Sequence, residues 1–139
     1  MTQTIAFELV SPEARLVSEP VVLANIPGEE GIFGVGANHS ALVATLQTGV
    51  VELYMEGQTA PRKIFIAGGF ADVTNESCTV LAEQAVNVSD LDQATLEQAL
   101  KDLSEDLGLA QEEADKARIQ RKIDLTKAKL SAVTGKLVF

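Results

Sequence analysis

Tryptophan is absent from this 139-residue chain, aromatics make up 4% of it, and it carries one histidine and one cysteine. With so few large rings, the core has to come from aliphatic and β-branched residues. The lone Cys78 excludes an intramolecular disulfide and suits a reducing compartment. Cys78 and His39 do not make a His/Cys zinc site without carboxylates, and no ligand spacing supports one. They also fall in different strands or turns, which argues against a Cys–His nucleophile pair. Cupin-type chemistry needs several histidines. No window approaches the roughly 20 apolar residues of a membrane span. Met1 to Val10 has neither a basic start nor a continuous apolar run, so no signal peptide is evident, and a cytoplasmic protein is expected.

Positive charge is scarce as well. Eleven Lys and Arg stand against twenty Asp and Glu, a net charge of −9. That balance argues against nucleic acid or an anionic lipid surface as partner, since both need a basic surface. Its placement is uneven: residues 1–89 carry −7, residues 90–115 carry −8, and residues 116–139 carry +6. The reversal near residue 116 is the strongest compositional feature in the chain.

Glycine is concentrated between Pro27 and Gly49 (PGEEGIFGVGANHSALVATLQTG). Glycine at this density permits positive φ and close backbone approach, so the segment reads as tight turns between short strands. GIFGVG has the order G-x-x-G-x-G, not G-x-G-x-x-G, and no clear helix follows it; a phosphate cradle is disfavoured. Glu29-Glu30 reads as a solvated loop, not a paired acid and base.

Strand signals fill the first eighty or so residues. Ile5, Phe7 and Leu9 alternate with polar or small neighbours, the period of a half-buried strand. Val21 to Ile26, Val50 to Tyr54, Lys63 to Ala67 and Cys78 to Ala82 are further runs, separated by turn signals at Ser11-Pro12, Pro27-Gly28, Glu56-Gly57, Gly68-Gly69 and Thr74-Asn75. Such spacing predicts a sandwich or barrel, and no helical period interrupts it to build a parallel βαβ sheet.

After Ala85 the pattern changes. Val86 to Asp90 reads as a polar connector, with Ser89 or Asp90 as the cap of a helix. Leu96, Leu100, Leu103 and Leu107 form one stripe, and Gly108 is expected to break it. A second helix is expected from within Leu109 to Glu113 to about Thr134, with the stripe Ile119, Ile123, Thr126, Leu130 and Val133 and a cap at Gly135. The short stop between them predicts an antiparallel helical hairpin. Its acidic first arm should lie beside its basic second arm, in exposed pairs worth about 0–1 kcal/mol each. The predicted class is α+β, mainly β: a sandwich over residues 1–86, then a connector and hairpin over 87–139.

Two blocks carry a family resemblance. The spacing of Glu30-Gly31, Gly34, Asn38-His39 and Leu42 to Gly49 resembles the epsilon subunit of the F-type (rotary) ATP synthase. Phe65 to Val73 (FIAGGFADV) followed by Thr79 to Ala85 (TVLAEQA) is similar to the same family, in the same order and distance. With the two-helix tail, the resemblance covers essentially the whole chain.

The resemblance implies a non-catalytic rotor subunit with no cofactor and no metal, beside the gamma subunit and on the c-subunit ring. The turn Glu29, Glu30, Gly31, Ile32 and Phe33 would face the ring, and His39, Leu42 and Thr45 would lie toward gamma. Arg118, Arg121 and Lys122 of the hairpin would reach the alpha/beta catalytic hexamer and inhibit ATP hydrolysis. The implied location is peripheral, without membrane insertion, on the cytoplasmic face of the bacterial inner membrane. Some members bind ATP through Ile/Leu-Asp-x-x-Arg-Ala at the start of the first helix. Here that stretch is Leu91-Asp92-Gln93-Ala94-Thr95-Leu96: Asp92 remains, but Thr95 replaces the guanidinium suited to phosphate. The alternatives are a β-sandwich adaptor presenting a helical hairpin to an unrelated partner, and a small-ligand enzyme with an unseen cofactor site.

Overall fold

The computed structural model describes residues 3–135. Ten strands come first: β1 (Ile5–Val10), β2 (Arg15–Val21), β3 (Leu23–Gly28), β4 (Gly31–Val35), β5 (Leu42–Leu46), β6 (Gly49–Tyr54), β7 (Arg62–Ile66), β8 (Gly69–Val73), β9 (Ser77–Ala82) and β10 (Ala85–Asn87). A 3-10 turn at Val88–Asp90 leads into α1 (Gln93–Leu109) and α2 (Glu113–Thr134). The chain divides into two compact units, residues 1–87 and residues 88–139. The architecture is the expected β sandwich or barrel followed by a helical hairpin.

Along the sheet the strands run β10-β7-β6-β3-β5-β8-β9-β1-β2, with β4 on the side of β3. Every pairing is antiparallel except β1 with β9, where Phe7 lies opposite Cys78. The alternation in β1 works as its sequence implies, with Ile5, Phe7 and Leu9 buried. Val51 and Leu53, Ile64 and Ile66, and Val80 and Ala82 join the same core at two-residue steps. Each larger side chain fully buried there contributes about 1.5–3 kcal/mol.

At the two ends of the strand order, β2 and the β7–β10 pair are stitched together by Arg62. Its Nε donates to Asn87 Oδ1 at 3.1 Å, its Nη2 donates to the Leu16 carbonyl at 3.3 Å, and its Nη1 lies 3.5 Å from Glu19.

Several boundaries differ from the sequence reading. The run Val21 to Ile26 is not one strand: β2 ends at Val21 and β3 begins at Leu23. β2 tolerates Pro20 because it ends the sheet, where a missing N–H can face solvent. In place of the tight turn expected at Gly68-Gly69, Gly68 is a bend between β7 and β8, and Gly69 already starts β8. Its φ is +128°, and a Cβ there would lie 2.1 Å from the Leu81 carbonyl oxygen, so only glycine fits. The connector expected at Val86 to Asp90 is half strand, since β10 pairs with β7 through Asn87.

In the helical unit, α1 passes Gly108 and stops at Leu109. A glycine in the last turn costs only about 1 kcal/mol against alanine and need not end a helix. The N-cap is Asp92, not Ser89 or Asp90. Gly135 does cap α2, at φ 72°, with its N–H donating to the Ser131 carbonyl at 2.8 Å. Ile119, Ile123 and Leu130 are buried, whereas Leu96, Leu100, Leu103 and Leu107 are half-buried. Charge pairing between the arms does not occur among the described residues. Lys116 pairs with Glu113 and Arg118 with Asp115, both three residues apart within α2.

Candidate docking surface

β3 and β4 form a tight hairpin with Gly28 opposite Gly31 and Glu29-Glu30 at its tip. Gly31 takes a φ of +133°, which a side chain would resist. The tip is tied sideways: the Glu29 N–H donates to the Thr45 carbonyl at 3.0 Å, and Gly28 pairs with Leu46 at the end of β5. Phe33 packs against the core, which turns Ile32 outward to 76% exposure. Between hairpin and strand lies a groove of about 490 Å³ lined by residues 28–33 and 42–45. The turn Glu29 to Phe33 therefore meets Leu42 and Thr45 in one place, although the sequence reading assigned them to separate partners.

His39 is not brought into that groove. It sits in the loop after β4, where its Nδ1 donates to the Ser40 carbonyl at 2.8 Å. Its neighbour Asn38 adopts φ 63° and donates its backbone N–H to the Asn75 carbonyl, fastening the loop to the β8–β9 turn.

From Thr45 the surface continues across the sheet. Thr45 pairs with Phe70 on β8, and Phe70 pairs with Leu81 on β9. Both are large apolar residues on the outer face, 47% and 40% exposed, and Val43 is 70% exposed. Beside them a second concavity of about 390 Å³ is lined by Val10, Ser11, Pro12, Phe70 and Leu81, among others. Large apolar side chains exposed together mark interaction surfaces more often than chance placement does. Phe70 and Leu81 were not singled out from the sequence. The available signal was Val80-Leu81-Ala82, three apolar residues in a row on a half-buried strand, one of which must face out.

Arg118, Arg121 and Lys122 belong to the other unit. All three are exposed on α2, and Arg118 also donates to Asp115 at 3.4 Å. At the start of α1 the Thr95 hydroxyl donates to the Asp92 carboxylate at 2.6 Å. That bond is the main cause holding the Asp92 pKa below its ordinary value. Among the described residues no group of His, Cys, Asp and Glu is placed to hold a metal ion, and no helix is long and apolar enough to cross a membrane.

Comparison with known proteins covers both units. Residues 4–88 match the family described as ATP synthase, Delta/Epsilon chain, beta-sandwich domain, and residues 92–139 match the C-terminal domain family of the ATP synthase epsilon chain. The ATP synthase epsilon chain of Rhodospirillum centenum is 40% identical, over 97% of this chain and 95% of that one. The epsilon chain of Rhodospirillum rubrum is also 40% identical, over 97% and 100%. A chain of the Euglena gracilis mitochondrial ATP synthase, OSCP/F1/c-ring in rotational state 1, superposes with a TM-score of 0.79 at 25% identity, over 94% of this chain and 81% of that one. One from the Tetrahymena thermophila mitochondrial ATP synthase central stalk/c-ring is similar in fold alone, with a TM-score of 0.59 at 9% identity, over 95% and 98%.

Proposed function

This chain belongs to the epsilon-chain family of ATP synthases, non-catalytic subunits of that complex, and on that footing we propose that it links the gamma subunit to the ring of c subunits in the rotor. The carrying observation is the groove that joins the hairpin tip to β5 and opens onto the exposed row Thr45, Phe70 and Leu81. The tip, Glu29 to Phe33, offers two exposed carboxylates and an exposed Ile32 to the polar loops of the ring. The gamma side comprises Leu42, Thr45, Phe70 and Leu81, with His39 at its margin. Tip and face are carried on one hydrogen-bonded sheet over a packed core. Such a body passes force from one partner to the other with little deformation.

The helical unit supplies regulation. Arg118, Arg121 and Lys122 make an inhibitory contact with the alpha/beta hexamer through their exposed positive charges. On this reading the protein is a peripheral part of the complex at the cytoplasmic face of the bacterial inner membrane.

The test is co-purification from native membranes using the tagged full-length protein. Wild type should carry the gamma and c subunits with it. Phe70→Asp combined with Leu81→Asp should lower gamma recovery roughly tenfold or more. The fold should survive, because neither side chain belongs to the core. A folded double variant that still retains gamma would refute the assignment of that face, and a wild type lacking both partners would refute the linking role.

A further inference from the structure

The last strand of the β unit is also its most lightly held. β10 has three residues, pairs on one side only, with β7, and none of the three is fully buried. Segments with so few pairings open at the low end of a protein's stability range. Past Asn87 the polypeptide enters the second unit through the turn at Val88–Asp90.

One side chain ties this strand down. Arg62 reaches Asn87 Oδ1 with Nε while the rest of its guanidinium is occupied by β2, through the Leu16 carbonyl and Glu19. A planar fork anchored at its far side presents Nε in one direction, which a lysine ammonium does not do. The bond therefore connects the exit of the β unit to an opposite end of the strand order. Nothing in the sequence marks Arg62 for this role, since it follows Ala60-Pro61 as an ordinary surface cation.

We propose that Arg62 is a positioning residue for the boundary between the two units: by holding Asn87 it fixes where the connector begins. While the bond is made, the connector starts at Val88. When it is broken, β10 peels from β7 and the connector gains three residues, about 10 Å of reach at full extension. Core strands need not move, because no β10 residue is among the fully buried set. The helical unit then has two tether lengths, selected by one hydrogen bond.

Amide hydrogen exchange on the full-length protein tests this. Arg62→Lys and Asn87→Ala should each speed exchange of the β10 amides about tenfold and leave β1 and β9 unchanged. The double variant should exchange no faster at β10 than the faster single, because the bond between Arg62 and Asn87 is the one contact that both changes remove. Unchanged exchange at β10 in the single variants would overturn the proposal. So would additive effects in the double variant, or equal acceleration in β1 and β9, which would make Arg62 a general stabiliser of the sheet.

Discussion

The Thr95 hydroxyl and the Asp92 carboxylate lie 2.6 Å apart across the first turn of α1, donor to acceptor. By the family resemblance, these are the positions of the aspartate and arginine of the ATP motif. In this protein the aspartate is engaged by its own helix and no guanidinium accompanies it. We expect no ATP affinity tighter than about millimolar, a binding free energy of ~4 kcal/mol. Calorimetry on the isolated subunit measures it, and saturation in the micromolar range would contradict the expectation.

The basic residues of α2 are expected to matter for hydrolysis more than for synthesis. Replacing Arg118, Arg121 and Lys122 with alanine should weaken epsilon-dependent inhibition of ATP hydrolysis several-fold, because three exposed cations leave a contact dominated by charge. Raising salt should mimic the triple variant, as screening shortens the reach of exposed charges. Equal inhibition by wild type and variant across a salt series would exclude the electrostatic contact.

Truncation should separate the two roles. The boundary implied by β10 lies after Asn87, one residue beyond the connector start read from the sequence. Residues 1–87 should fold and join the complex, and ATP synthesis should remain largely intact without the helical unit. Circular dichroism followed by reconstitution gives the answer; an unfolded or non-assembling fragment would contradict this division of labour.

Gly69→Ala should be severe. The added Cβ would meet the Leu81 carbonyl oxygen at 2.1 Å, and φ of +128° is itself hostile to a side chain. A destabilisation of about 3 kcal/mol or more is expected in urea unfolding. Gly57→Ala, at φ +78° with nothing within 4 Å of the new atom, should lose less than Gly69→Ala.

Cys78 sets a pH dependence. It is 0% exposed, and burial, helped by the charge of Asp72, raises its pKa from 9.0 to about 12. The unfolded thiol ionises first, so this contribution is intact below pH 9.0 and is lost progressively as pH rises toward 12. Near pH 10 the loss is about 1 kcal/mol. The alkaline limb of the stability curve should flatten in Cys78→Ala, and the native thiol should resist alkylation at pH 8. Rapid labelling without unfolding would show that the site opens locally.

Legibility in the sequence followed physical rules. β7 was readable because Ile64, Phe65 and Ile66, buried on both faces, leave an apolar run. β1, β6 and β9 were readable because one face of each is buried, which leaves a two-residue period. The helical stripes at Leu96 to Leu107 and Ile119 to Leu130 were readable for the same reason at helical period. β2 hid behind Pro20 and its charges, which only a terminal strand accommodates. β4 and β5 lay in the glycine-rich stretch, where backbone freedom masks strand preference. Phe70 and Leu81 were harder still: a sequence reports that a residue is apolar, not which side of a sheet it faces. Arg62 was invisible because its three partners come from two segments far from it in sequence, β2 and β10.

The pairing of β1 with β9 also constrains how the protein is made. Phe7 finds Cys78 about seventy residues downstream. As the polypeptide emerges from a ribosome, its first strand has one neighbour in β2 and an open edge on the other side until β9 has been synthesised. Non-local pairing of this kind slows folding and leaves an unpaired edge exposed in the meantime. β1 and β2 wait as a pair for most of the β unit's synthesis, and the arrival of β9 converts that provisional hairpin into part of the sheet.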